Sequence, residues 1–390
     1  MKKFSIPILL TTALLFIFIL VILMKAPFLK PKSQVTAAPE QTNTEVTPQP
    51  DNSSTEEQSE ALPTPEPKTP PKNIKGIYVT SWIAGSQRMN DIVQFIKDNK
   101  TVNAVVIDVK DDTGIISYPT EIPLAKEIGA SSRRAPKLKE LVAELNRNGI
   151  YTIARIVVFK DPLLASKHLE LAVKDKNGGN WRDRKGMVWV DPHCQKIWQY
   201  NLEIAKEAVA MGFSEVQFDY VRFISDGKIS NAVYPFSKGE SKEDVIRNFL
   251  AYCKAELLKS NTPVSADIFG LVLSVPDDLN IGQKLEKITD VVDYISPMVY
   301  PSHYPKGTFE IDNPDRYPYE TIFNAMKDGL KRVPGSKVKF RPWLQDFDLG
   351  NSYGREQLQA QIKALADHGI HDWLFWNPSN RYDQTKYDLE

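Results

Sequence analysis

The sequence predicts an α/β fold, a (β/α)8 TIM barrel preceded by an N-terminal transmembrane helix and a disordered linker, and three observations predict the barrel. Eight apolar, β-branched runs recur after Lys75, helix-period stretches separate them, and polar side chains collect at their C-terminal ends. Alternation of strand and helix implies parallel strands joined by crossovers. Eight such units over about 315 residues suit a closed barrel with insertions. A doubly wound sheet is the alternative, and the polar strand ends favour the barrel.

The chain begins as a different material. Lys2 and Lys3 precede an apolar run from Phe4 to Met24, interrupted by Ser5, Pro7, Thr11 and Thr12. About 20 apolar residues cross a bilayer as a helix. A cleaved signal peptide has a shorter apolar core with small residues directly after it, whereas Lys25, Ala26 and Pro27 follow here. Residues 1–30 are therefore expected to be an uncleaved signal anchor, with secretion after cleavage as the alternative. Residues 31–72 are dominated by Pro, Thr, Glu, Gln and Ser. Such a stretch buries too little apolar surface to fold, and its prolines stiffen it into a spacer. Lysines flank the anchor on both sides, so the orientation rule is nearly silent. The stiff acidic tether suits a single-pass cell-membrane protein whose barrel, residues 73–390, is extracytoplasmic. A cytosolic linker is the competing reading.

Composition narrows the chemistry. Hydrophobic residues make up 42% and charged residues 25%, ordinary for a globular protein. Forty-nine basic residues balance forty-nine acidic ones, so no nucleic-acid partner is expected. Cys194 and Cys253 make neither a disulfide framework nor a zinc site, and are expected as unpaired buried thiols. The five histidines show no ligand spacing. The DDTG at 111–114 lacks the glutamate and spacing of a calcium loop. No glycine-rich phosphate loop or Gly-x-Ser-x-Gly elbow occurs. No metal or cofactor is called for, and oligomeric state is not readable.

Period-two geometry places candidate residues along the runs. GIYVTSW (76–82) ends at Trp82. AVVIDVKDD (104–112) sets Val106, Asp108 and Lys110 on one face. A helix over LKELVAELNRNG (138–149) leads to YTIARIVVF (151–159), which carries Arg155. Asp191-Pro192, before an apolar-periodic stretch to Met211, reads as a helix N-cap with proline in the first turn. EVQFDYVRF (215–223) puts Gln217, Asp219 and Val221 on one face and Val216, Phe218 and Tyr220 on the other, with Arg222 close behind. The apolar face should meet the helices, so Asp219 points into the barrel mouth. VSADIFG (264–270) groups Ser265, Asp267 and Phe269. VDYISPMVY (292–300) ends at Tyr300, VKFRPWLQDF (338–347) at Gln345 and Asp346, and WLFWNP (373–378) at Trp376 and Asn377. The helix REQLQAQIKALADHG (355–369) ends in a glycine stop signal.

Active sites of such barrels lie at the C-terminal strand ends. Neighbouring strands are about 4.8 Å apart, so Asp219 and Asp267 at similar heights would stand roughly 5–6 Å apart. Retaining glycosidases hold their two carboxyl groups at about 5–5.5 Å, and like charges that close push one pKa upward. Asp108 is a third acid, with Lys110 and Arg155 to balance charge. The tryptophans and tyrosines near strand ends, including Trp82, Trp181, Trp189, Trp343, Trp376, Tyr300, Tyr304 and Tyr382, suit the apolar faces of sugar rings. Of these, Trp82, Trp376 and one or two tyrosines are expected to face the cleft. The bland counterparts are an aspartate bonded to backbone or to Arg222, and aromatics that simply fill core.

Seven segments in order, VVIDVKDDTG, ARIVVFKDP, VQFDYVRF, SADIFG, ISPMVYPSHY, RPWLQDF and FWNPSNRY, resemble the bacterial putative glycoside hydrolase domain family, placed near the α-amylase-like barrel hydrolases. The resemblance covers about residues 75–388. It implies a nucleophile at the end of strand four, Asp219, and a proton donor at the end of strand five, Asp267. The chain departs from the α-amylase pattern at Gln217, where an arginine is usual, and at Asp267, where a glutamate is usual. Strand six offers no acid, leaving Asp346 or Asp108 as other proton sources. The expectation is a membrane-tethered glycoside hydrolase acting on an envelope or extracellular polysaccharide. Asp219, Asp267 and Asp108 would be catalytic. Trp82, Lys110, Arg155, Arg222, Tyr300, Gln345, Asp346, Trp376 and Asn377 would hold the sugar. A non-catalytic glycan-binding barrel, scaffold or adhesin, is the main alternative, and a transglycosylase the third.

Overall fold

A computed structural model describes residues 70–389. The expected membrane helix over 1–30, and all but the last three residues of the expected linker, lie outside the described residues. Among the described residues no helix is long and apolar enough to cross a membrane.

All eight runs form strands, arranged around the sheet in chain order. These are β1 (Lys75–Val79), β2 (Ala104–Lys110), β3 (Tyr151–Val157), β4 (Glu215–Asp219), β5 (Val264–Phe269) and β6 (Tyr294–Met298). The seventh position, β7, is two short pieces, Lys339–Phe340 and Trp343–Gln345, on either side of Arg341-Pro342. Proline cannot donate to a ladder, which accounts for the break. β8 (Trp373–Trp376) pairs back onto β1 through Gly76↔Leu374 and Ile77↔Phe375, closing a parallel barrel.

Strand parity sorts the side chains. Every residue of β2 and β3 is buried, as parallel strands with helices on one side and a filled interior on the other require. Val105, Ile107, Ala154, Ile156, Val216, Phe218, Ala266 and Ile268 join the core beneath the helices. Ile74, Tyr78, Val106, Ile153, Tyr294, Trp343 and Leu374 fill the barrel interior. The outer layer includes helices Arg88–Asp98, Leu138–Arg147, Gln195–Ala210, Lys242–Leu257, Pro318–Arg332 and Arg355–Ala366. Between β5 and β6 the outer layer shrinks to short turns, one of them Leu285–Ile288.

Deep inside, Glu215 and Arg341 are fully buried and form a two-pronged pair, with Arg341 Nη1 2.9 Å from Glu215 Oε2. Tyr151 Oη (3.1 Å) and Ser265 Oγ (2.5 Å) also donate to Glu215. These bonds satisfy the carboxylate side of the buried pair, while Arg341 Nε is left without a hydrogen-bond partner among the described residues.

Two local expectations need correction. The helix expected behind Asp191-Pro192 starts later, at Gln195, with Cys194 as its N-cap. Asp191 accepts instead from the His193 amide at 3.0 Å and the Phe236 amide at 2.9 Å, tying down the loop after β4. β4 also stops at Asp219, because Tyr220 turns left-handed with φ 48°. Val221 therefore leaves the Asp219 face and packs into the outer core. Insertions after β3 and β4 pair through Lys174–Asp175 and Ala232–Val233 over a cluster of Val173, Trp181, Trp189 and Ile224. Cys194 and Cys253 are unpaired and buried, as expected.

Candidate active site

The mouth is built by one inward residue from each of several strand ends. Tyr78 comes from β1, Asp108 from β2, Arg155 from β3, Asp219 from β4, Asp267 from β5, Trp343 from β7 and Trp376 from β8. Each shares the inward parity of its strand. Tyr300 follows β6 by two residues.

Arg155 organises the acids. Its Nη1 lies 2.6 Å from Asp108 Oδ1, and its Nε lies 3.0 Å from Asp219 Oδ2, which Nη2 also reaches. Tyr78 Oη donates to the other Asp108 oxygen at 2.5 Å. The Tyr220 amide donates to Asp219 Oδ1 at 2.6 Å, so three N–H groups converge on the Asp219 carboxylate. The left-handed turn at Tyr220 follows immediately. A bulky residue held there carries backbone strain, as Leu279 and Phe309 do elsewhere in the chain.

Asp267 stands beside Asp219. Phe218 pairs with Ala266, so the next residues on these two parallel strands are neighbours. Trp343 Nε1 donates to Asp267 Oδ1 at 2.8 Å. Burial first, and then the negative charge of Asp219, raise the Asp267 carboxyl well above the usual carboxylate range. Burial also pushes Asp108 up to about 6, although Arg155 and Tyr78 both donate to it. Burial thus favours the neutral form of Asp108 and of Asp267, on either side of Asp219. Tyr300 lies close enough that, after its own burial, Asp267 and Asp219 raise its hydroxyl further.

Aromatic rings line this cluster. Trp376 stacks on Tyr78 with centroids 3.8 Å apart and planes 19° apart. Trp343 meets Trp376 edge-on at 5.5 Å, and Arg155 lies 5.1 Å from the Trp376 ring. Of these rings, Trp376 keeps part of its surface open. Among the described residues no group of three or more His, Cys, Asp or Glu side chains could hold a metal ion.

The structure brings together Asp108, Arg155, Asp219, Asp267, Tyr300 and Trp376, and sets other candidates elsewhere. Lys110 faces the helices: its Nζ lies 2.7 Å from Asp161 and 2.9 Å from Asn201, fully buried. A bulge between Asp108 and Lys110 reverses strand parity there. Gln345 is occupied, donating to Phe347 O at 2.9 Å and accepting from the Ser302 amide at 3.1 Å, so it fastens loops rather than facing sugar. Asp346 is enclosed by Asn377 (2.9 Å), Tyr387 (2.7 Å) and Lys386, and burial raises its carboxyl. Asn377 also donates to Arg381 O at 3.0 Å, and with Asp346 it moors the C-terminal segment. Trp82 is 65% exposed with Arg134 4.7 Å from its ring, outside the cluster. Arg222 is not the partner of Asp219: it lies among Trp189, Tyr220 and Phe269. Tyr78 and the Trp343 indole N–H were not singled out from sequence. Continuing period two backwards along β1 from Thr80 would have flagged Tyr78.

A closed parallel barrel with acids, an arginine and stacked aromatics at its C-terminal mouth has the layout of barrel hydrolases. The match to a family profile is more specific. Residues 76–382 match the profile described as "Putative glycosyl hydrolase domain", and the chain belongs to that family. A hypothetical protein from Ruminiclostridium thermocellum ATCC 27405 is 38% identical, over 53% of this chain and 98% of its own, with TM-score 0.46. The PgaB (BpsB) glycoside hydrolase domain from Bordetella bronchiseptica is 15% identical, over 81% of this chain and 98% of its own, with TM-score 0.59, a likeness of fold. The Bacillus megaterium QM B1551 spore cortex-lytic enzyme SleL is 11% identical, over 82% of this chain and 74% of its own, with TM-score 0.49. A search of curated proteins found no match.

Proposed function

We propose that this protein is a membrane-tethered, extracytoplasmic glycoside hydrolase that cuts a cell-envelope or extracellular polysaccharide. The observation that carries this reading is the Asp219–Asp267 pair, two acids on adjacent strand ends with unlike surroundings. Asp267 is buried and biased towards its neutral form, so it acts as general acid and delivers its proton to the glycosidic oxygen as the C–O bond breaks. Asp219 faces the positive charge that develops at the anomeric carbon, either by attacking it or by stabilising it. Arg155 and the Tyr220 amide fix the Asp219 carboxylate in place, which is the preorganisation such a step needs. Trp376 on Tyr78 offers a flat apolar platform for a sugar face. Asp108, joined to Asp219 through Arg155, tunes the arginine's position. The apolar stretch from Phe4 to Met24 and the proline-rich stretch after it support the tether.

The test is a screen of the full chain against envelope and extracellular polysaccharides, reading new reducing ends, with Asp219→Asn as control. Glycan binding by both proteins with cleavage by neither would mean a binding barrel instead.

A further inference from the structure

Directly after Asp219 the chain places a cation that no carboxylate touches. Arg222 is 93% buried, being 7% exposed, and among the described residues it makes no ion pair within 4.0 Å. Its Nη1 donates to Phe223 O at 2.9 Å and Ser225 Oγ at 3.0 Å. Its Nε and Nη2 have no hydrogen-bond partner among the described residues. Three aromatic rings surround the guanidinium carbon: Phe269 at 4.7 Å, Trp189 at 4.8 Å and Tyr220 at 5.1 Å. A guanidinium taken out of water with no carboxylate in contact is costly, and stacked rings with the more distant charges of Asp219, Asp226 and Asp183 offset only part of that cost. The cost shows in its pKa, which burial shifts downward.

The surroundings tie this cation to the mouth. Tyr220, one of its rings, is the left-handed residue whose amide holds Asp219. Phe269, another, ends β5 two residues beyond Asp267. On Tyr220 a second cation, Lys160 Nζ, lies 4.8 Å from the ring centroid, paired with Asp112 at 2.6 Å. The collar thus draws two of its rings from residues adjoining the strand ends that carry both acids, and holds the unused edge of a fork-shaped donor that matches carboxylate and phosphate oxygens.

We propose that Arg222 and its aromatic collar form an anion subsite beside Asp219, so that the glycan taken by this barrel carries a negatively charged sugar substituent, a carboxylate or a phosphate ester. This rests on the glycan-active reading above and names its substrate class.

The test measures binding rather than cleavage. The full chain is titrated with glucose, glucuronate and glucose 6-phosphate, which differ at the sixth carbon. At least one acidic sugar is expected to bind ten times or more tighter than glucose, and which one does so identifies the substituent. Arg222→Gln should erase that preference, and Arg222→Lys should restore part of it, while circular dichroism reports that both variants are folded. If neither acidic sugar outperforms glucose, or if folded Arg222→Gln keeps the preference, the subsite is overturned. If Arg222→Gln fails to fold, Arg222→Lys decides alone: an undiminished preference overturns the subsite and a reduced one supports it. Binding through Arg222 without cleavage of any glycan would sink the hydrolase reading and leave this one standing; cleavage of neutral glycans alone would do the reverse.

Discussion

Arg155 Nε lies 3.0 Å from Asp219 Oδ2 while Nη1 of the same guanidinium reaches Asp108 at 2.6 Å, so one buried cation fixes two acids from the strands on either side of it. Removing it should leave both acids without a counter-charge. Breaking a buried pair from one side costs about 3–5 kcal/mol. Arg155→Met is expected to lower the unfolding free energy by about that much in denaturant titration. Arg155→Lys, which keeps charge but loses the fork, should recover part of the stability and little of the turnover.

Asp267 has a different signature. Its raised pKa means that kcat/KM should fall as pH rises through that value, because the acid form is the working one. Asp267→Asn should lose about a hundredfold or more on a natural glycan. The loss should be much smaller on an aryl glycoside whose leaving group needs no proton, and the alkaline fall should vanish there. An equal loss on both substrates would remove Asp267 as general acid.

Asp108 should appear in stability against pH. Its carboxyl moves from an ordinary 3.8 to about 6 on folding, so between those values the folded chain holds more protons than the unfolded one. Stability must then fall as pH rises across that window, by roughly 3 kcal/mol if the full shift is realised. Asp108→Asn should flatten this part of the slope in melts taken at pH 4, 5, 6 and 7, leaving the part due to Asp267.

Lys110 separates fold from site. Fully buried against Asp161 at 2.7 Å, it belongs to the packing between barrel and helices. Lys110→Met should destabilise by about 3–5 kcal/mol, yet folded protein assayed in the cold should keep its turnover within about twofold. A folded variant without activity would return Lys110 to the mouth.

These outcomes show which parts of the molecule were legible in its sequence. The eight strands were, because most are apolar runs rich in β-branched or aromatic residues, and the two most apolar of them, β2 and β3, are buried along their whole length. Period two also placed Asp108, Asp219 and Asp267 on the inward faces of their strands, which are regular up to those residues. It failed at Lys110, where one extra residue in the bulge turns every later side chain to the other face. It failed again at Val221, where Tyr220 leaves the strand. Gln345, Asp346 and Asn377 sit at strand ends as expected, but their partners, Ser302, Asp315, Lys386 and Tyr387, come from distant loops and the C-terminal segment. Such pairings follow from tertiary packing and leave no periodic trace.

The central claim, that the two acids on β4 and β5 perform hydrolysis, is tested most directly by comparing reducing-end release by the wild-type chain and Asp219→Asn on the same polysaccharide, with melting temperatures measured in parallel. The expected result is release by the wild type, a drop of about a thousandfold or more in the variant, and a variant that still melts cooperatively. Equal release by a folded Asp219→Asn would contradict it.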